Sequence, residues 1–323
     1  MVLRRRHFLQ LTAGALAAPA ISRFGYAQSY PSKPIRFLVG FPPGNAPDII
    51  ARIFAQAMSE RLGQQVVVDN RPGAASNIAV EATVQAPPDG YTILMTILTN
   101  VFNMSLYPSL RFNFLKDIAG VAGFADAPYL LQVNPKVPVK STAELIAYAK
   151  ENPGKVNFAS GGLGSATHIF TEWFKTLAGI DIVHVPYRGP YMPDVLSNQV
   201  QMLIGPIPQT IQYYRNGEMR TLGVSTAKPL PDLANVPLIS ATVPGYVALG
   251  WYGLGAPRNT PPEIVNRLNK AVNDCLADPK IKERLAGMNV QPMVMSAAET
   301  DTFLAGEHTK WSKVIQDAGV KLT

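Results

Sequence analysis

With 323 residues, 47% of them apolar, the chain holds enough material for about two domains with ample cores. Its formal charge of +7 is largely a leader effect: Arg4, Arg5, Arg6 and Arg23 stand in the first 27 residues, which contain no acid, and setting those four aside leaves +3. No Lys/Arg run remains to neutralise a line of phosphates, which argues against a nucleic-acid partner, and the lone Cys275 cannot close an internal disulfide.

The leader itself reads as an export signal. Arg5-Arg6-His7-Phe8-Leu9, a core of the twin-arginine type, opens onto an uncharged stretch from Gln10 to Ser22, and Gly25-Tyr26-Ala27 makes a small-x-Ala cleavage site. About thirteen mildly apolar residues fall short of the ~20 needed to cross a bilayer core of about 30 Å. Residues 1–27 are therefore expected to be a signal peptide cleaved near Ala27, and the mature protein a periplasmic one.

Downstream, Ile35 to Val39 predicts a short buried strand, Phe41 to Asn45 a loop, and Pro47 to Leu62 a helix that Gly63 stops. Asn45 is placed to cap that helix, and Asp48 complements its positive end. Val66 to Val68, Ile78 to Gln85 and Tyr91 to Met95 continue as strand, helix and strand, the grammar of a parallel, doubly wound sheet. After a crossing near Ala127 to Leu131 the pattern restarts: a helix from Thr142 capped by Ser141, a strand at Val156 to Ala159, a helix from Ser165 to Ala178, a strand at Ile182 to Val185, and further alternation to Val224. Gly250 to Leu254 reads as a strand returning to the first unit, followed by helices from Pro262, Pro279 and Glu299. The expected organisation is one α/β domain from 28–127 plus 249–323 and a second from 128–248, facing each other across a cleft. Cys275 falls on the apolar face of its helix with Leu268, Ala271, Val272 and Leu276, where a free thiol serves as a small hydrophobe.

Three loops carry the chemistry. Phe41-Pro42-Pro43-Gly44-Asn45 leads into a helix N-terminus near Asp48, a place suited to an anion. Ser160-Gly161-Gly162-Leu163-Gly164-Ser165, ending on His168, sets three glycines and two serines over a second helix start, a cradle of backbone amides and hydroxyls for a carboxylate. Val185-Pro186-Tyr187-Arg188-Gly189 ends a strand, with Tyr187 able to pack on a ligand and Gly189 allowing close approach. The spacing around Ser160 and Ser165 fits neither a nucleophile elbow nor a phosphate loop, and no paired carboxylates sit in these loops for acid–base work. No Cys/His cluster suggests a metal and no motif suggests a cofactor. His184 reads as a structural histidine.

Tyr30-Pro31-Ser32-Lys33-Pro34-Ile35-Arg36, Phe41-Pro42-Pro43-Gly44, Asn70-Arg71-Pro72-Gly73-Ala74, Asp89-Gly90-Tyr91-Thr92, Ser160-Gly161-x-x-Gly164-Ser165-x-x-His168, His184-Val185-Pro186-Tyr187 and Trp251-Tyr252-Gly253-Leu254-x-Ala256-Pro257 follow one another in order. This set resembles the extracytoplasmic solute receptors of the tripartite tricarboxylate transporter type, the Bug family. The resemblance implies a type II-like, Venus-flytrap binding protein that is not an enzyme, takes a small carboxylic acid between two lobes and docks on the membrane permease subunits of such a transporter, as a monomer without cofactor or metal. Some members of the family serve two-component sensing instead, and a secreted hydrolase built on Ser165 and His168 is a different-class alternative. Against the family pattern, Asn45 stands where relatives have a second glycine, Thr96-Ile97-Leu98-Thr99-Asn100 replaces a polar run, and Gly205 stands where many carry Asp. These departures point to an acid with one anchored carboxylate and an apolar or aromatic body. The expected ligand-binding set is Phe41, Pro43, Gly44, Asn45, Asp48, Thr99, Ser160, Gly161, Gly164, Ser165, His168, Tyr187, Gly189 and Gly205.

Overall fold

The computed structural model describes residues 30–317 and 319, so the expected signal sequence lies outside the described residues. The first unit opens with β1 (Ile35–Val39), α1 (Ala46–Leu62), β2 (Val66–Asn70), α2 (Asn77–Val84) and β3 (Thr92–Ile97). β1 pairs in parallel with both β2 and β3, as alternating strands and helices require. Gly63 ends α1 in the left-handed conformation, at φ 69°.

Beyond β3 the chain departs from simple alternation. Leu98–Leu106 forms helix α3, an element the sequence reading did not assign, and after the short α4 (Phe114–Asp117) comes the 16-residue β4 (Ile118–Val133). β4 is buried on both faces along almost its whole length, which explains why its sequence is nearly continuous in apolar and small residues. Its first part pairs antiparallel with β9 (Leu249–Pro257), down to Pro128 opposite Leu249. From Tyr129 onward it pairs instead with β7 (Met202–Pro206) and β8 (Arg220–Val224).

The second unit contains α5 (Thr142–Glu151), β5 (Asn157–Ser160), α6 (Ala166–Ala178), β6 (Val183–Pro186), α7 (Met192–Leu196), β7, α8 (Ile207–Arg215) and β8. Ser141 caps α5 as expected, its hydroxyl accepting from the Glu144 N–H. β7, β5 and β6 run parallel, whereas β4 and β9 run against their neighbours, so each sheet is mixed rather than wholly parallel. The antiparallel members are the crossing strands, because a chain that leaves a sheet and returns must traverse it in opposite directions.

The C-terminal helices α9 (Pro262–Ala277), α10 (Pro279–Ala286) and α11 (Ala297–Asp317) complete the molecule. Cys275 is buried on α9, and burial raises its thiol to about 11, which keeps it protonated. Phe54 stacks on Phe124 at 4.1 Å beneath the first sheet. Behind the crossing strands, Trp311 of α11 meets Phe102 of α3 and both Phe170 and Trp173 of α6, while Tyr129 packs edge-on against Phe170. One helix thus joins the aromatic faces of both units. Among the described residues no helix is long and apolar enough to cross a membrane, and no group of His, Cys, Asp and Glu is arranged to hold a metal ion.

Candidate ligand-binding site

Four helices begin against a single cavity. Asn45 and Pro47 bring the start of α1, Ile97 to Thr99 that of α3, Ser165 to Thr167 that of α6, and Pro206 and Gln209 that of α8. The first N–H groups of a helix lack intrahelical partners, and each helix carries a partial positive charge there. Four such ends on one cavity make a field for an anion without a formal cation, and among the described residues no Lys, Arg or His lines it. The rest of the wall is mainly apolar: Phe41, Tyr129, Tyr191, Trp251 and Tyr252, with Gly161 at the rim.

This inner cavity leaves about 40 Å³ to the centres of water-sized molecules, against about 500 Å³ in the outer cleft that adjoins it. Phe41, Asn45 and Gly161 border both spaces. A side chain at Gly161 would put its Cβ 3.1 Å from Phe41 Cε1, so the glycine lets the ring close the passage. Hydrogen bonds span the same gap. The Ala166 N–H donates to Thr99 Oγ1 at 3.2 Å, and Gln209 Nε2 donates to Asn45 Oδ1 at 3.3 Å while its Oε1 accepts from Tyr191 at 2.9 Å. Asn45 therefore does not cap α1 with its side chain; its amide reaches across the cleft instead.

The first loop is held by its own carboxylate. Asp48 accepts from the Gly44 N–H, from Arg52 and from Asn70, each at 2.9 Å, and is almost fully buried. Burial alone raises its pKa, but the hydrogen bonds from Arg52, Gly44 and Asn70 and the guanidinium charge outweigh it and hold the group below the ordinary carboxylate range.

The second loop is braced by neutral groups. Ser165 caps α6, its hydroxyl accepting from the His168 N–H and donating to the Gly162 carbonyl at 2.7 Å. Thr167 Oγ1 accepts from the Gly161 N–H, and His168 Nδ1 accepts from the Gly164 N–H. The His168 ring stacks on His184 at 4.1 Å, and His184 stacks on Phe158 and bonds Ser160. Burial, then the neighbouring His184 and Lys175, lower His168 to about 3; burial and Lys175 lower His184 to about 4. Both rings are neutral at physiological pH. The Ser165 hydroxyl and the His168 ring have other partners, so the serine lacks the adjacent base that nucleophilic catalysis requires.

Across the outer cleft, Ala74, Ala75 and Ser76 all adopt left-handed backbone, with φ of 45°, 49° and 75°. Such residues cost about 1 kcal/mol or more each. Two asparagines of α3 hold them: Asn103 donates to the Ala75 carbonyl at 2.7 Å and Asn100 to Ser76 Oγ at 3.1 Å.

Of the residues expected to bind ligand, Phe41, Asn45, Thr99, Gly161 and Ser165 line the inner cavity, and Tyr187 and Gly189 line the outer cleft. The Tyr187 hydroxyl is already engaged with Asp194 at 2.6 Å. Pro43 and Gly44 are exposed, and Asp48, Ser160, Gly164 and His168 brace the loops from behind. Gly205 lines neither space; a Cβ there would strike Leu203 at 2.4 Å and Thr210 at 2.8 Å, so it serves packing. Tyr129, Tyr191, Gln209 and Trp251-Tyr252 line the cavity without having been foreseen as ligand contacts. The proline just inside the start of α8 was a legible signal for a helix end near Gln209. Tyr129 and Tyr252 could be placed only once the pairing of β4 and β9 was known.

Residues 50–320 match the family model described as the tripartite tricarboxylate transporter family receptor. The chain belongs to this receptor family. The protein BugT of Bordetella pertussis is 35% identical over 316 residues, 96% of this chain and 95% of that protein. The solved structure described as R. palustris Rpa4515 with adipate superposes with a TM-score of 0.88 at 35% identity, over 90% of this chain and 99% of its own. The periplasmic binding protein BugD gives 0.87 at 28% identity, over 90% and 99%. The receptor's architecture is accordingly that of a type II-like periplasmic binding protein, two α/β lobes with the four helix ends in the cleft between them, and the family is one of solute receptors.

Proposed function

We propose that this receptor is exported to the periplasm, captures a small carboxylic acid with an apolar or aromatic body, and delivers it as a monomer to the membrane permease subunits of a tripartite tricarboxylate-type transporter. The observation that carries the reading is the convergence of four helix N-termini on a cavity with apolar walls and, among the described residues, no cationic side chain. Uncharged donors hold one carboxylate there. A citrate-like triacid would bury further charges without ion pairs, at several kcal/mol each. Adipate in the 35%-identical relative supports a carboxylate as the ligand.

The lobes we assign to 28–127 plus 249–323 and to 128–248, which agrees with the change of β4 partners after Pro128 and the start of β9 at Leu249. Capture then works by closure: an acid enters from the wide outer cleft, and the Thr99–Ala166 and Asn45–Gln209 bonds with the Phe41–Gly161 contact draw the lobes together over it. Mass spectrometry of small molecules that copurify with the natively prepared protein, paired with a thermal-shift screen of carboxylic acids, tests the assignment. Stabilisation by monocarboxylates with apolar bodies is expected; stabilisation by citrate or aspartate alone would reject it.

A further inference from the structure

One polar group in the inner cavity has no partner. Tyr252 of β9 is 3% exposed and lines the cavity, yet its hydroxyl makes no hydrogen bond. Natural proteins rarely leave such a group unmet unless a ligand or water completes it. Its surroundings are specific. Ala125 stands opposite Tyr252 and Ala127 opposite Gly250, so the two-residue period of β4 puts Tyr129 on the same face of the sheet. The Tyr129 ring lies over Gly250, where a Cβ would come within 3.1 Å of its Cε2 and 3.4 Å of its hydroxyl. Tyr191, already donating to Gln209, lines the same cavity.

We propose that the Tyr252 hydroxyl is a second recognition point in the cavity, donating to an uncharged oxygen, a hydroxyl or a carbonyl, on the body of the ligand. The preferred ligand is then a monocarboxylate carrying one such oxygen. This rests on the carboxylate-receptor reading above and narrows it. The bound oxygen is uncharged because none of the described residues lining the cavity is cationic, and burial, the neighbouring tyrosines and Asp126 all disfavour negative charge at Tyr252.

Calorimetry with two matched pairs, benzoate and 4-hydroxybenzoate, hexanoate and 6-hydroxyhexanoate, tests the proposal on wild-type receptor and on Tyr252→Phe, which removes only the oxygen. In at least one pair the oxygenated member is expected to bind wild type about three- to tenfold tighter than its parent. The variant should erase that difference, keep the parent's affinity within about twofold and melt no lower than wild type, since the orphan hydroxyl is gone. Absence of preference in both pairs overturns the proposal. So does an equal loss for both members, which would make the hydroxyl a carboxylate anchor, or a lowered melting temperature, which would make it a support of the fold. Binding of the parent acids without discrimination removes this subsite alone, whereas failure of every acid to bind also removes the receptor reading beneath it.

Discussion

The two loops that flank the cleft end in helix N-termini, but they differ in what already occupies those ends. The first loop brings its own anion: Asp48 ties Gly44, Asn70 and Arg52 together and uses up much of the positive end of α1. The second brings no charge at all, and its cap, Ser165, sits in front of two neutral histidines that hold the loop from behind. A glycine-rich or proline-rich turn before a helix is therefore not by itself an anion site. The first-turn residue decides how much of a helix's field is spent inside the protein: α3, α6 and α8 carry no acid there and contribute more of theirs to the cavity than α1, with Asp48, does.

Acid should break the second loop first. His168 and His184 ionise in the unfolded chain near pH 6.5 but only at about 3 and 4 when folded, so the unfolded state takes up protons first and stability falls as pH drops from 6.5 toward 4. Asp126 works the other way, since burial raises it to about 6 and protonation below that pH relieves the folded state. Two rings against one carboxylate leave a net loss of about 3 kcal/mol at pH 4 after discounting for partial exposure, and His184→Gln should remove about half of it. Urea unfolding across that range measures the slope; a flat profile would show that the stacked rings are not held neutral.

Gly40→Ala attacks the support of the first loop. Its Cβ would fall 1.9 Å from Ser76 Oγ and 2.7 Å from Ser76 Cα, in a turn that is already left-handed, and a loss of about 3 kcal/mol is expected by denaturant titration. Asp48→Asn, which keeps the shape and removes the charge, should cost about 2 kcal/mol, moderated by the half-exposed Arg52. Ser165→Ala should cost only about 1 kcal/mol of stability through its cap. Measured side by side, these last two give the comparison its sharpest form, because a larger loss at Ser165 than at Asp48 would reverse the roles assigned to the two loops.

Much of this architecture was legible in the sequence, for identifiable reasons. Strands β1 and β3, helices α1, α5, α6 and α9 and the burial of Cys275 follow from apolar spacing and from glycine and serine at helix ends, which are local properties. Helix α3 was missed because its stripe of Leu98, Val101 and Phe102 is short, nine residues in all, and follows β3 without a break; Asn100 accepts the Ile97 N–H at its start, and the helix packs between β3 and α11. The role of Asn45 was misplaced for a similar reason. An asparagine before a helix is locally a cap, and only the fold brings Gln209 within 3.3 Å of it. Tyr129 and Tyr252 share one cavity because strands more than a hundred residues apart pair, a fact no local pattern contains.

Among the described residues Arg188 is the single cationic side chain that lines either the inner cavity or the outer cleft, and it is exposed at the mouth. Calorimetric titration of wild type and Arg188→Ala with a carboxylic acid identified in the screen therefore asks directly whether the anion is held by uncharged helix-end donors. The account predicts affinities within about twofold of each other, as expected for a screened surface charge. A loss of about a hundredfold in the variant would place the carboxylate on the guanidinium at the mouth and contradict it.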